Sequence, residues 1–251
     1  MENSIMNYRP LEVVWEITWK CNAKCIHCGS DCISVEKPAE LTLVECLDVV
    51  QQLHKLGTER IILSGGDPMV RKDFATIALA IRNLGMNVGF VSNGIAIDDE
   101  KIALLKIIQP NQIGLSLDSA DEYIHDYIRG YKGCHKHVIE TLKKFNENNI
   151  KCSVITTLHK LNFHQLLKLK ELILKLNIKT WQIQYADLIG RTSKDMMITE
   201  AQFYELGNFI FDMQREYGNR VVVTGADVVG YMSPTGQSIL PNWNGCQAGC
   251  Y

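Results

Sequence analysis

Short apolar runs rich in β-branched residues alternate with longer stretches of helical period, and no other feature of this chain narrows its fold as far. The alternation repeats about six times, the signature of successive βα units with buried parallel strands. It predicts strands over residues 13–18, 60–64, 88–92, 112–117, 151–157 and 180–185, with a further one at 220–224. The stretches between them carry apolar stripes at helical spacing. Leu43, Leu47, Val50 and Leu53 follow a Thr42/Glu45 capping box and precede Gly57, a helix stop. Stripes of the same kind are Phe74/Ile77/Ile81/Leu84, Ile102/Leu105/Ile108, Val138/Leu142/Phe145 and Leu166/Leu169/Leu172/Leu176. The last, Phe203/Leu206/Ile210/Met213, follows a Thr199/Gln202 cap.

Six βα units can close a partial barrel or open into a doubly wound sheet, and periodicity alone allows both. In either case the chemistry belongs at the C-terminal ends of the strands. The unusual residues lie there: cysteines after the first strand, Gly65-Gly66-Asp67-Pro68 after the second, Ser92-Asn93-Gly94 after the third, Ser116 and Asp118 after the fourth.

The chain has 251 residues, 46% hydrophobic and 22% charged, with a net charge of −2, enough for one large core. The interspersed charges offer no basic footprint for nucleic acid and no polybasic membrane anchor. No apolar run approaches the roughly 18 to 20 residues of a membrane span, so a cytoplasmic location is expected. A protein or small-molecule substrate is favoured.

Nine cysteines without a signal peptide point to ligands or catalysts rather than disulfides. Cys21, Cys25, Cys28 and Cys32 crowd together; Cys246 and Cys250 close the chain. The C-x3-C-x2-C spacing of the first three places thiolates on one loop after a strand. Zinc is a poor match unless His27 or Cys32 supplies a fourth ligand. A ferredoxin-like carrier would match Cys25, Cys28 and Cys32, yet the proline after the last cysteine is missing. A cluster with one open iron and metal-free structural cysteines are the other readings of the spacing alone.

The run Cys21-x3-Cys25-x2-Cys28, with aromatic His27 before the last cysteine, resembles the signature loop of radical S-adenosylmethionine enzymes. Gly65-Gly66-Asp67-Pro68 is similar to that family's Gly-Gly-Glu-Pro motif, Ser92-Asn93-Gly94 to the end of its third strand, and 114–118 to its ribose-binding strand. With 126–130 the motifs occur in order over residues 13 to about 232. The resemblance implies an α/β fold, a partial (β/α)6 TIM-like barrel of parallel strands with outer helices. It also implies a [4Fe–4S] cluster on Cys21, Cys25 and Cys28, whose open iron chelates S-adenosylmethionine. Reductive cleavage would then give a 5′-deoxyadenosyl radical that abstracts hydrogen from a substrate.

By the same resemblance Gly65, Gly66 and Asp67 would hold the methionyl ammonium, and Ser116 and Asp118 would contact ribose or carboxylate. Ser92 and Asn93 would also bind the cofactor, His27 would lie near the adenine, and Arg129 would pair the carboxylate. Asp67 departs from the family's usual Glu by one methylene. A bare βα turn capped by Asp67 is the structural alternative. No catalytic acid or base is assigned.

The tail from Trp243 to Tyr251 resembles the opening of the SPASM or twitch extension of peptide-modifying relatives. Cys246 and Cys250 would start an auxiliary cluster there, or be free thiols. Three regions are expected: a lead-in at 1–12, a radical core at 13–232 and the start of a truncated extension at 233–251. A leader-peptide-binding domain is not expected, since the first strand starts near residue 13. The stretches 127–130, 230–232 and 243–249 look most like maturases of ribosomally made peptides. A peptide or protein substrate and a flavodoxin- or ferredoxin-type reductant follow as expected partners. A tetrapyrrole or other small-molecule enzyme, and a silent iron–sulfur protein, are the alternatives.

Overall fold

The computed structural model describes residues 9–34, 36–226 and 229. Gly230-Tyr231-Met232 and the 243–251 tail, with Cys246 and Cys250, lie outside the described residues. Seven strands form one sheet: β1 (Glu12–Thr18), β2 (Arg60–Gly65), β3 (Asn87–Ser92), β4 (Gln112–Ser116), β5 (Ser153–Leu158), β6 (Thr180–Tyr185) and β7 (Val222–Gly225). Their spatial order is their chain order, and every neighbouring pair is parallel.

That order settles the question the periodicity left open. A doubly wound sheet reverses strand order midway and sends helices to both faces, whereas right-handed crossovers that never reverse put every helix on one face. The sheet therefore curls into a partial barrel, with β1 and β7 as its unpaired edges among the described residues.

The helices are α1 (Leu43–Lys55), α2 (Phe74–Asn83), α3 (Asp99–Ile108), α4 (Glu122–Arg129), α5 (Cys134–Glu147), α6 (Leu166–Lys175) and α7 (Glu200–Tyr217). Both expected capping boxes form, with Thr42 and Glu45 at α1 and Thr199 and Gln202 at α7. Outward strand residues such as Leu63, Phe90, Leu115 and Trp181 are fully or almost fully buried against Ile77, Ile81, Leu105, Phe145 and Leu169 on the helices. Inward residues face a different environment: Val14 is 66% exposed, and Gln182 and Gln184 are half-buried on the inner face of β6. The core is thus the layer between sheet and helices, and the inside of the curl is a hollow lined by both apolar and polar side chains, Val14, Val91 and Ile155 beside Ser116, Thr157 and Gln182.

Two departures from expectation have local causes. β7 starts at Val222 because the amides of Arg220 and Val221 both turn back onto the Tyr217 carbonyl at the end of α7. The 126–130 stretch, read from sequence only as a motif, is the last turn and the Gly130 C-cap of α4, an extra helix between β4 and α5 whose N-cap is Asp121.

A buried relay joins β6 and β5 to the residue that follows β4: Trp181 Nε1 donates to Thr156 Oγ1 at 2.9 Å, and Thr156 Oγ1 donates to the Leu117 carbonyl at 2.7 Å. Thr156→Val keeps the shape but leaves a buried donor and a buried acceptor unpaired. It should destabilise the fold by about 2 kcal/mol, read from urea unfolding; an unchanged midpoint would show that the relay contributes nothing net.

Candidate active site

The loop after β1 has no regular structure, so its backbone groups must be satisfied by other elements. Three neighbours do so. From the end of β2, Gly66 N–H donates to the Thr18 carbonyl at 2.8 Å and Asp67 N–H to the Lys20 carbonyl at 2.9 Å. From α4, the carbonyls of Arg129 and Ile128 accept from Lys24 and Ile26, each at 2.9 Å. Beyond β6, Arg191 N–H donates to the Cys28 carbonyl at 3.0 Å. Close approach is what the glycines supply. A Cβ on Gly66 would overlap the Lys20 carbonyl oxygen, and one on Gly190, itself at φ 61°, would overlap that of Cys28.

Held in this way, Cys21, Cys25 and Cys28 line one cavity of about 660 Å³ at the C-terminal mouth of the barrel, within the usual size range of small-molecule sites. Burial pushes the Cys21 thiol up to about 11, with Asp67, Cys25 and Cys28 adding to the rise, and it raises Cys25 as well. A site that disfavours thiolates in this way would hold three of them only around a cationic centre. Among the described residues no three His, Cys, Asp or Glu side chains converge closely enough to hold one metal ion. A zinc ion needs its thiolates on one shell of roughly 2.3 Å; a cubane spreads its ligands over separate irons. The donor set fits the polynuclear centre better.

The same cavity is lined by His27, Gly65, Gly66, Ser92, Asn93, Ser116 and Arg129. His27 Nδ1 is buried with no hydrogen-bond partner among the described residues, a vacancy suited to a bound group. Cys32 lines the cavity too, its thiol pushed up to about 12 by burial and by Cys28 and Cys21.

The two carboxylates expected to touch the cofactor, Asp67 and Asp118, do not line this cavity. Asp67 is completely buried and off the cavity wall. Its oxygens accept from Met69 N–H (2.9 Å), Ser92 Oγ (2.8 Å) and Asn93 N–H (2.8 Å). Burial raises its pKa, against these three donors. Asp67 is a cap and a brace tying the end of β2 to the end of β3. Asn93 in turn donates from Nδ2 to Asn22 Oδ1 at 2.7 Å and to Cys21 Sγ at 3.7 Å, so the brace continues into the cysteine loop.

Asp118 is also fully buried and off the wall. Its Oδ1 accepts from Thr157 N–H at 3.0 Å, and its Oδ2 meets Arg129 Nε at 2.7 Å, a charge contact outside hydrogen-bond alignment. Burial opposes ionisation of Asp118, but Arg129 holds its pKa below the ordinary carboxylate value. Arg129 Nη1 reaches Cys25 Sγ at 3.7 Å.

Sequence reasoning missed the imidazoles around this pair. His125 Nδ1 accepts from Asp118 N–H at 3.1 Å, and the His159 ring lies 5.6 Å from that of His27. No local motif marks either one. Gln182 and Gln184 were missed as well, although the polar alternation Thr-Trp-Gln-Ile-Gln-Tyr of β6 signals a wet inner face.

A profile of the Radical SAM superfamily matches residues 15–173, more than half of the chain, and the chain belongs to that superfamily. Membership implies S-adenosylmethionine and an iron–sulfur cluster as cofactors. Over 211 residues the chain is 26% identical to the AdoMet-dependent heme synthase of Methanosarcina barkeri, covering 84% of this chain and 60% of that one. It is 23% identical over 217 residues to the PqqA peptide cyclase of Bradyrhizobium diazoefficiens, covering 85% and 57%. The fold is similar to Streptococcus suis SuiB. Bound to S-adenosylmethionine, SuiB has a TM-score of 0.74 at 16% identity, with 96% of this chain and 54% of that one covered. Bound to its precursor peptide SuiA, the values are 0.72 and 18%, with 87% and 49% covered. The chain thus spans between about half and three fifths of the length of these proteins.

Two predictions follow from the geometry. Gly66→Ala should push the loop off the end of β2 and cost the protein most of its bound iron, measured as iron per chain after reconstitution; full iron content would show that the loop can relax. Burial lowers His27 to about 4 and His125 to about 3, from 6.5, with Asp118 opposing the change. Both imidazoles are neutral in the folded state, whereas unfolded ones take up protons below pH 6.5. Stability is therefore lost as pH falls from 6.5 toward those values, by about 2 kcal/mol per imidazole at pH 5. The urea midpoint should drop between pH 7 and pH 5. His125→Gln, which keeps an acceptor for Asp118 N–H, should remove about half of these two imidazoles' combined loss, roughly 2 of 4 kcal/mol; an unaltered pH slope would exclude His125 as a titrating group.

Proposed function

We propose that this chain binds a [4Fe–4S] cluster through Cys21, Cys25 and Cys28, with S-adenosylmethionine in the adjoining cavity, and abstracts hydrogen from a peptide or protein. The observation that carries the reading is that three thiols, Cys25 buried and Cys21 and Cys28 half-buried, line one cavity with the Gly65-Gly66 backbone, on a loop pinned from three sides. When bound, the cofactors supply a low-potential electron and the carbon radical it releases. The protein's part is position and exclusion of water. Gly65 and Gly66 let the methionyl ammonium approach the backbone. His27 and Ser116 face the adenosyl end, and the curled sheet screens the cavity from solvent on its strand side. The reductant is a flavodoxin- or ferredoxin-type protein of a reducing cytoplasm.

The charge of the cavity supports a peptide over a tetrapyrrole. Among the described lining residues the charged side chains are Arg129, Arg191 and Asp187. Arg129 is engaged by Asp118, and Arg191 Nε lies 3.5 Å from Asp31. A tetrapyrrole would bring carboxylates that need unpaired cations. Gln182 instead presents an amide, which both donates and accepts as a peptide backbone does, while the Gln184 amide already donates from Nε2 to Thr157 Oγ1 at 3.0 Å and keeps its oxygen as an acceptor. The name of the M. barkeri relative keeps tetrapyrrole chemistry as the second reading.

The test is direct. Anaerobically reconstituted protein with dithionite and S-adenosylmethionine should form 5′-deoxyadenosine, and changing Cys21, Cys25 and Cys28 to Ala should abolish both the brown chromophore and the product. A fully loaded cluster without 5′-deoxyadenosine would leave an electron-transfer or silent iron–sulfur protein. Hydrogen abstraction from a tetrapyrrole, with none from candidate precursor peptides, would overturn the substrate assignment alone.

A further inference from the structure

Two of the three thiols assigned to the cluster receive hydrogen bonds from side chains outside their own loop. Asn93 reaches Cys21 and Arg129 reaches Cys25, each at 3.7 Å. Only the second donor is charged. It is 7% exposed, and its Nε is held by the fully buried Asp118 at 2.7 Å. The carboxylate has its own anchor in Thr157 N–H, so its place does not depend on Arg129. A row of opposite charges, thiolate, guanidinium and carboxylate, therefore runs from the cluster loop into the dry interior behind it.

We propose that the Arg129–Asp118 pair is the electrostatic lever that sets the reduction potential of the cluster, Arg129 acting through Cys25 and Asp118 through Arg129. The inference rests on the cluster assignment made above and concerns the residues' effect before any S-adenosylmethionine binds. The potential of an iron–sulfur centre is set by its net charge, the hydrogen bonds to its sulfurs and its exposure. Reduction adds one electron, taken here from dithionite or the physiological carrier. A cation donating to a ligand sulfur stabilises that added charge and raises the potential. A carboxylate behind the cation partly cancels it and lowers the potential. Buried charges are little screened by salt, so the lever acts at any ionic strength. Arg129 and Asp118 are positioning residues here, with opposite signs.

Opposite signs make the idea testable. The full-length chain is reconstituted without S-adenosylmethionine, and the cluster is titrated with dithionite while its paramagnetic signal is followed. Arg129→Gln should shift the midpoint to more negative values, Arg129→Lys less so, and Asp118→Asn to more positive values. All shifts should persist in high salt. Fully loaded variants with unchanged midpoints, or with shifts of one sign, overturn the proposal. So does loss of the cluster from all three, because the pair would then be a folding element. A parent protein that takes up no cluster refutes the functional assignment itself, a different result from a loaded parent whose variants do not shift.

Discussion

A segment without helix or strand must place its amides and carbonyls in the hydrogen bonds of other elements or leave them to water. The cysteine loop of this protein is such a segment, and its shape is borrowed. The end of β2 holds its start, α4 its middle and the stretch beyond β6 its end. Thiols seven residues apart in sequence come to line one cavity only because three separate parts of the barrel are in register at the same mouth. Glycines stand where two of these contacts are tightest, at Gly66 and Gly190, where a side chain would overlap a loop carbonyl.

Behind the loop lies an interior that handles charge at close quarters. Asp67 and Asp118 are both fully buried, yet they meet burial differently. Asp67 is surrounded by neutral donors and has a raised pKa; Asp118 faces a guanidinium and has a lowered one. A buried ion pair is weak evidence for stability, since desolvation consumes much of the attraction. Its place one contact from the Cys25 thiol gives it another use under the proposed assignment, shaping the electrostatics of the cluster that thiol would hold. The neutral imidazoles of His27 and His125 fill out the same region without adding charge near pH 7.

Much of this was legible in the residues. Strand positions, both capping boxes and the gathering of Cys21, Cys25, Cys28, Gly65, Gly66 and Ser116 at one mouth follow from periodicity and motif order. The parts that were not legible share a cause. Asp67 and Asp118 stand in motifs that suggest ligand contact, and nothing along the chain says that Ser92 and Asn93, or Arg129 and Thr157, will reach them first. His125 and His159 come to the site through packing alone. Gln182 and Gln184 could have been found, because two amides alternating with Trp181 and Ile183 mark a strand with one wet face.

By itself the sequence determined the βα repeat, the strand ends that carry unusual residues and the spacing of the three cysteines on one loop, because hydrophobic period and residue spacing are local properties. The tertiary structure alone decided that strand order never reverses, so that the sheet curls around a hollow. It also decided which carboxylates face that hollow and which brace its wall. Those choices depend on partners brought together across the barrel, 25 residues apart for Asp67 and Ser92 and 104 for Cys25 and Arg129, and no local pattern encodes a contact over such separations.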